Sequence, residues 1–108
     1  MSEYNHKLCF VDLETTGLDK QKNDIFQLAA VITDPTAERV LDKLVLTFKP
    51  FSMKHLDDGA LIKTGQTKEM LESYQLHSLE ARDLFIDFCK LHVDPYNKKD
   101  KMHFVAYN

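Results

Sequence analysis

Basic residues are in short supply: 14 Lys and Arg stand against 17 Asp and Glu, a formal net charge of -3 over 108 residues. Coating of a nucleic-acid backbone by bulk charge needs clustered Lys and Arg, so that class is excluded and any such contact must be local. Cysteine is nearly absent as well. Cys9 and Cys89 each sit in an apolar context, Leu8-Cys9-Phe10 and Phe88-Cys89-Lys90, with no CxxC or CxxH partner, which points to reduced core residues rather than a zinc or disulfide framework. No long apolar stretch follows the opening Met-Ser-Glu-Tyr-Asn-His-Lys, and none elsewhere approaches a membrane span. A cytoplasmic chain with no membrane partner is expected. Internal repeats, low-complexity tracts and linkers are missing too.

What is present, 44% hydrophobic and 29% charged residues, fits one globular domain with a modest core. Leu8 to Leu13 is apolar except at Asp12 and ends at Thr15-Thr16-Gly17, the pattern of a buried strand and a turn. A second strand runs from Ile25 to Thr33, where Asp34-Pro35 stops it. Alternation from Val40 to Phe48 predicts a third, ended by Pro50. Short connections make these three an antiparallel meander. Asp57, Asp58 and Gly59 read as a loop, and Thr64-Gly65-Gln66-Thr67 as a helix start with Thr67 as N-cap and Met70, Leu71 and Tyr74 at helical spacing. A longer helix is expected from Ser78, as N-cap, through Leu84, Phe85, Phe88 and Leu91, with Pro95 beyond its end. Met102 to Tyr107 reads as a fourth strand, reached by a helical crossover and so parallel to one of the others. The expected class is α/β on a mixed sheet.

Asp12 and Glu14 are the residues that suggest chemistry. Side chains two apart on a strand share a face, roughly 6 to 7 Å apart. Two carboxylates so placed can flank a pair of divalent ions about 3.5–4 Å apart, as in two-metal phosphoryl-transfer sites. All-oxygen ligands favour Mg²⁺ or Mn²⁺. The plainer reading has one carboxylate capping the turn and the other facing water. Against it, the pair interrupts an apolar run, where unpaired charge is costly to bury and a ligand is expected.

Phe10-Val11-Asp12-Leu13-Glu14-Thr15-Thr16-Gly17-Leu18 resembles the first motif of the DEDD 3′→5′ exonucleases, the family of polymerase proofreading domains and the DnaQ-like, polymerase III epsilon group. Asp24 to Asp34 is similar to that family's second strand, and Leu61 to Leu71 to its substrate-side loop and helix start. His103-Phe104-Val105-Ala106-Tyr107-Asn108 looks like the opening of its second motif. The resemblance implies a ribonuclease H-like fold and a metal-dependent exonuclease acting on single-stranded DNA 3′ ends, with RNA the other substrate, and releasing nucleoside 5′-monophosphates. It implies that Asp12 and Glu14 ligate two Mg²⁺ or Mn²⁺ ions and that Thr15 holds the 3′-terminal nucleotide through its backbone N–H and hydroxyl. Thr16 and Gly17 would form the turn beneath, Leu18 would wedge against the terminal bases, Lys63 and Thr64 would line the same pocket, and Asn108 would contact substrate. Each has an ordinary alternative: Leu18 as core, Gly17 and Gly65 as turn glycines, Lys63 as a solvated charge.

His6, His55, His77, His92 and His103 fall outside the family's third motif and are expected at the surface or in caps, with Tyr107 structural. An aspartate four residues after Asn108, and the third motif's general base and aspartate, do not follow within this chain. Residues 1–108 are therefore expected to form a single partial exonuclease domain, truncated before the last strand and helices and weak or inactive alone. A fragment is favoured over a split protein completed by another chain or a degenerate homologue. The open end of the sheet would favour self-association. A different class, a non-catalytic module of the same fold that binds a polymerase or a nucleic-acid end, is the alternative.

Overall fold

β1 (His6–Thr15), β2 (Ile25–Thr33) and β3 (Val40–Thr47) come first, then α1 (Asp58–Thr64), α2 (Lys68–Ser73), α3 (Ser78–Lys90) and β4 (Lys101–Ala106). They are seen in a computed structural model that describes residues 5–106, so Tyr107 and Asn108 lie outside the described residues. The strands form one sheet in the order β3-β2-β1-β4. β4 runs parallel to β1, with His6 opposite Lys101 and Val11 opposite Ala106. Residues 16–24 and 34–39 are too short for parallel crossovers, which makes β1, β2 and β3 antiparallel neighbours in a mixed α/β sheet.

β2 keeps the expected bounds, whereas β1 extends beyond Leu8 to Leu13 at both ends because its pairing with β4 begins at His6. β3 stops at Thr47, although the Phe48 N–H still donates to the Phe26 carbonyl at 2.8 Å. Between β2 and β3, the Asp34 carboxylate accepts the N–H groups of Glu38 (2.9 Å) and Arg39 (3.2 Å) and the Thr36 hydroxyl (3.3 Å). Burial raises the Asp34 pKa, but these donors outweigh it and leave the carboxyl below its ordinary range.

Three helices replace the expected two. The Asp57-Asp58-Gly59 segment is the start of α1 rather than a loop: the Asp57 side chain accepts the N–H groups of Gly59 and Ala60, satisfying donors that the first turn leaves open. Thr64 ends α1 rather than opening the next helix, and Gly65 closes it at φ 70, the left-handed conformation that favours glycine. Thr67 caps α2 as expected, through its hydroxyl and the Met70 N–H at 3.1 Å. Ser78 is the first residue of α3, not its cap, because the His77 carbonyl already accepts the Ala81 N–H. Glu80 reaches back to the His77 N–H at 3.2 Å, the reciprocal half of a capping box. Asp57→Ala is expected to destabilise the chain by about 1 kcal/mol, with Asp57→Asn losing much less, as read by urea unfolding.

Contacts divide the chain into two compact units. The first holds the chain up to Asp12, Ala29–Val45 and the residues from Asp83 onward. Its buried apolar residues are Cys9, Ala30, Ile32 and Phe88, and the rings of Phe85 and Phe104 approach at 6.3 Å. Leu84 and Leu91, expected on the core face of α3, are exposed; the buried stripe is narrower than their spacing suggests. Both cysteines are free thiols. Burial, reinforced by the neighbouring Cys89, pushes the Cys9 thiol up to about 12, so it is protonated and inert at neutral pH.

An ion pair and a histidine–carboxylate hydrogen bond also belong to this unit. Lys7, wholly buried, donates to Asp100, whose other carboxylate oxygen accepts the Asp94 N–H at 2.7 Å. His92 meets Asp42 at 2.8 Å and holds the Asp42 carboxyl below its ordinary range, so this half-buried histidine ties the α3–β4 connection to β3 rather than standing free at the surface.

The second unit spans Leu13–Leu28 and Leu46–Arg82. Phe26, Leu61 and Leu71 form its core, with Met53, Leu56 and Tyr74 packed against them. Met70 lies outside that core and is exposed, although it shares the expected helical spacing. None of the described helices is long and apolar enough to cross a membrane.

Candidate functional site

Asp12 and Glu14 occupy the last turn of pleat in β1, two residues apart on one face. Asp12 is exposed and Glu14 half-buried, which overturns the expectation that both interrupt a buried run. Water reaches both groups, so burial does not demand a ligand. Among the described residues neither carboxylate has a hydrogen-bond or ion-pair partner, as is also true of the exposed Glu38, Asp58, Glu69 and Asp87; what sets Asp12 and Glu14 apart is that they share one face of a strand end. Neither caps the turn, so half of the plain reading is also lost.

The turn that follows is held from beneath. Thr16 is fully buried; its N–H donates to the Asp24 carbonyl (2.9 Å), its hydroxyl accepts the Asp24 N–H (3.1 Å), and its carbonyl accepts the Asp57 N–H (2.8 Å). Asp24 in turn takes the Ser52 N–H at 2.8 Å. A β-carbon on Gly17 would stand 2.4 Å from the Asn23 amide oxygen, so the glycine leaves room for a side chain that bonds Asp19 N–H and the His55 carbonyl. Thr15 donates its hydroxyl to the Gly17 carbonyl at 2.7 Å, leaving oxygen lone pairs free to accept.

Leu18 is 94% exposed, which removes its reading as core. An unpartnered leucine at the tip of a pinned turn can offer an apolar face to a flat ligand. Lys63 is exposed in the last turn of α1, and the Thr64 hydroxyl donates to the carbonyls of Ala60 and Leu61, so it is spent on its own helix. An open cavity of about 520 Å³ lies between Met53, Leu56, Leu61 and Lys68 and is lined by neither Lys63 nor Thr64. Asn108 falls outside the described residues.

Asn23, Asp24, Ser52 and Asp57, which hold the turn, escaped the reading of the sequence. Asp24 beside a strand start was a visible cue; the partners 28 residues away were not. The donor set at Asp12 and Glu14 fits a hard divalent cation: four open carboxylate oxygens on one face, with no nitrogen or sulfur. No group of three or more His, Cys, Asp or Glu at metal-binding spacing occurs among the described residues, so these two would supply only part of a ligand set.

Comparison with known proteins bears on the family and the fold. The probable oligoribonuclease of Dictyostelium discoideum is 31% identical over 100 residues, covering 87% of this chain and 52% of that protein. The oligoribonuclease of Legionella pneumophila strain Corby is 30% identical over 95 residues, 83% of this chain and 50% of that one. The chain thus spans about half the length of these curated relatives. Their names lend no specific support to a polymerase proofreading role. The crystal structure of the nuclease domain of 3′hExo, a DEDDh family member, bound to rAMP, matches 99% of this chain and 54% of its own with a TM-score of 0.74 at 19% identity, a likeness of fold. The Exonuclease (RNase_T) family model matches residues 9–107, and the chain belongs to that family.

Proposed function

We propose that the chain carries the metal-ligand half of a 3′→5′ exonuclease domain that removes nucleoside 5′-monophosphates from short single-stranded RNA. The observation that carries this is the pair of unpartnered carboxylates at Asp12 and Glu14, beside a turn fixed by Thr16 and tipped by exposed Leu18. RNA is favoured over DNA by the oligoribonuclease relatives. The 108 residues are read as one partial domain, and activity without further ligands and a general base is expected to be weak.

Asp12 and Glu14 would hold Mg²⁺ or Mn²⁺, which supplies charge neutralisation at the scissile phosphate and a more acidic bound water. The chain's own groups position the nucleotide. Because the Thr15 hydroxyl already donates to Gly17, its oxygen acts as acceptor, and the terminal ribose hydroxyl would donate to it. Leu18 would cover the terminal base. The chain has no basic surplus, so attraction to phosphate at this site would depend on cations held by Asp12 and Glu14 rather than on Lys and Arg.

Isothermal titration with AMP in the presence of Mn²⁺ tests this reading. Binding should weaken at least tenfold in Glu14→Ala and by about 1 kcal/mol in Leu18→Ala, the scale of partly lost apolar burial. AMP binding that ignores Glu14 would instead support the non-catalytic module.

A further inference from the structure

Two histidines outside that site meet across β1 and β4. His6 opens β1, and His103 lies opposite Leu8 in the parallel register, so both project from one face of the sheet. His6 Nδ1 and His103 Nε2 stand 3.0 Å apart, with ring centroids separated by 5.3 Å and planes inclined by 13°. Both side chains are exposed. That geometry has the rings meeting edge to edge, with at least one lone pair aimed at the other nitrogen.

Two imidazole nitrogens at this separation suit a single transition-metal ion. With metal–nitrogen bonds of about 2.0–2.1 Å and angles between octahedral and tetrahedral, the nitrogens lie about 2.8–3.4 Å apart. We propose that His6 and His103 form a two-histidine site for Zn²⁺ or a similar imidazole-seeking ion, with water filling the other positions. β1–β4 pairing holds the two histidines side by side, and rotation of the exposed rings out of the hydrogen bond they share brings both lone pairs onto one ion. Asp100, the nearest carboxylate in sequence to β4, is already engaged by Lys7 and the Asp94 N–H and is not free to join. No third ligand is placed to complete a cluster among the described residues.

The site is chemically and spatially separate from Asp12. Nitrogen ligands select Zn²⁺, Ni²⁺ or Cu²⁺ where carboxylates select Mg²⁺ or Mn²⁺. His6 and Asp12 are also about 20 Å apart along β1 at the usual rise per residue. An ion held by both strands would favour the state in which β4 is docked on β1, raising thermal stability by mass action.

Zn²⁺ titration of the tag-free chain at pH 7.5 tests the proposal, with thermal unfolding alongside. One Zn²⁺ per chain is expected, at least tenfold weaker in both His6→Gln and His103→Gln and unchanged in an Asp12→Asn/Glu14→Gln variant. Zn²⁺ should raise the unfolding midpoint by several degrees only when both histidines are present. Because both histidines are exposed, the glutamine variants keep the fold, as circular dichroism would show. No binding by the wild type, equal binding by His103→Gln, or loss in the carboxylate variant with both histidines intact would overturn it.

Discussion

In an enzyme that also carries the remaining metal ligands and a general base, replacing Asp12 or Glu14 by alanine is expected to lower Mn²⁺-dependent trimming of a 5′-labelled oligoribonucleotide by at least about 10³-fold, close to 4 kcal/mol of transition-state stabilisation. The size follows from what the carboxylates would do. They do not assist a reaction that other groups can carry; they hold the cations that neutralise the reacting phosphate, in a chain whose net charge of -3 would otherwise repel it. Each variant should retain wild-type stability, because neither side chain has a protein partner to lose among the described residues. That pairing of outcomes, a large loss of turnover with an unchanged urea midpoint, separates a ligand role from a structural one. A loss below tenfold, or a fall in stability that accounts for the loss, contradicts the assignment.

The largest effect on stability is expected at the other end of β1. Lys7 is fully buried and paired with Asp100, and removing one partner strands the other charge away from water. Lys7→Met should cost about 3–5 kcal/mol, while the double variant Lys7→Met/Asp100→Leu should recover most of it, since buried pairs are often no better than apolar replacements of similar volume. Urea midpoints of the two variants give the comparison. The pair also sets a pH dependence. The Lys7 ammonium, helped by the Asp94 N–H, holds the Asp100 carboxyl below the usual carboxylate range. A depressed folded value means stability that is fully present above the unfolded pKa of about 3.9 and lost as pH falls through the lower folded value. The wild type should therefore lose stability steeply below about pH 4, and Asp100→Asn should show a shallower acid limb.

Much of this architecture could be read from residue order. β2 was legible because Val31 and Ile32 end an apolar run that Asp34-Pro35 cannot continue. Thr67 was legible as a cap because its hydroxyl acts within three residues. α1 was not, because an Asp-Asp-Gly sequence favours a loop on local grounds and becomes a helix start only when Leu61 has Phe26 and Leu71 to pack against. The Lys7–Asp100 pair was invisible for a related reason: its members are 93 residues apart, and only the parallel docking of β4 brings them together. At the candidate site, residue types announced the carboxylates, while their exposure depended on what covers that face of the sheet. A run of apolar neighbours says nothing about that.

Paramagnetic broadening of amide resonances by substoichiometric Mn²⁺ reports whether a divalent cation binds at Asp12 and Glu14, without requiring turnover. Broadening should be strongest around residues 12–18 and disappear in the Asp12→Ala/Glu14→Ala variant, with the remaining resonances unmoved. Broadening centred elsewhere, for instance at the acidic start of α1, or a pattern that persists in that variant, would contradict it.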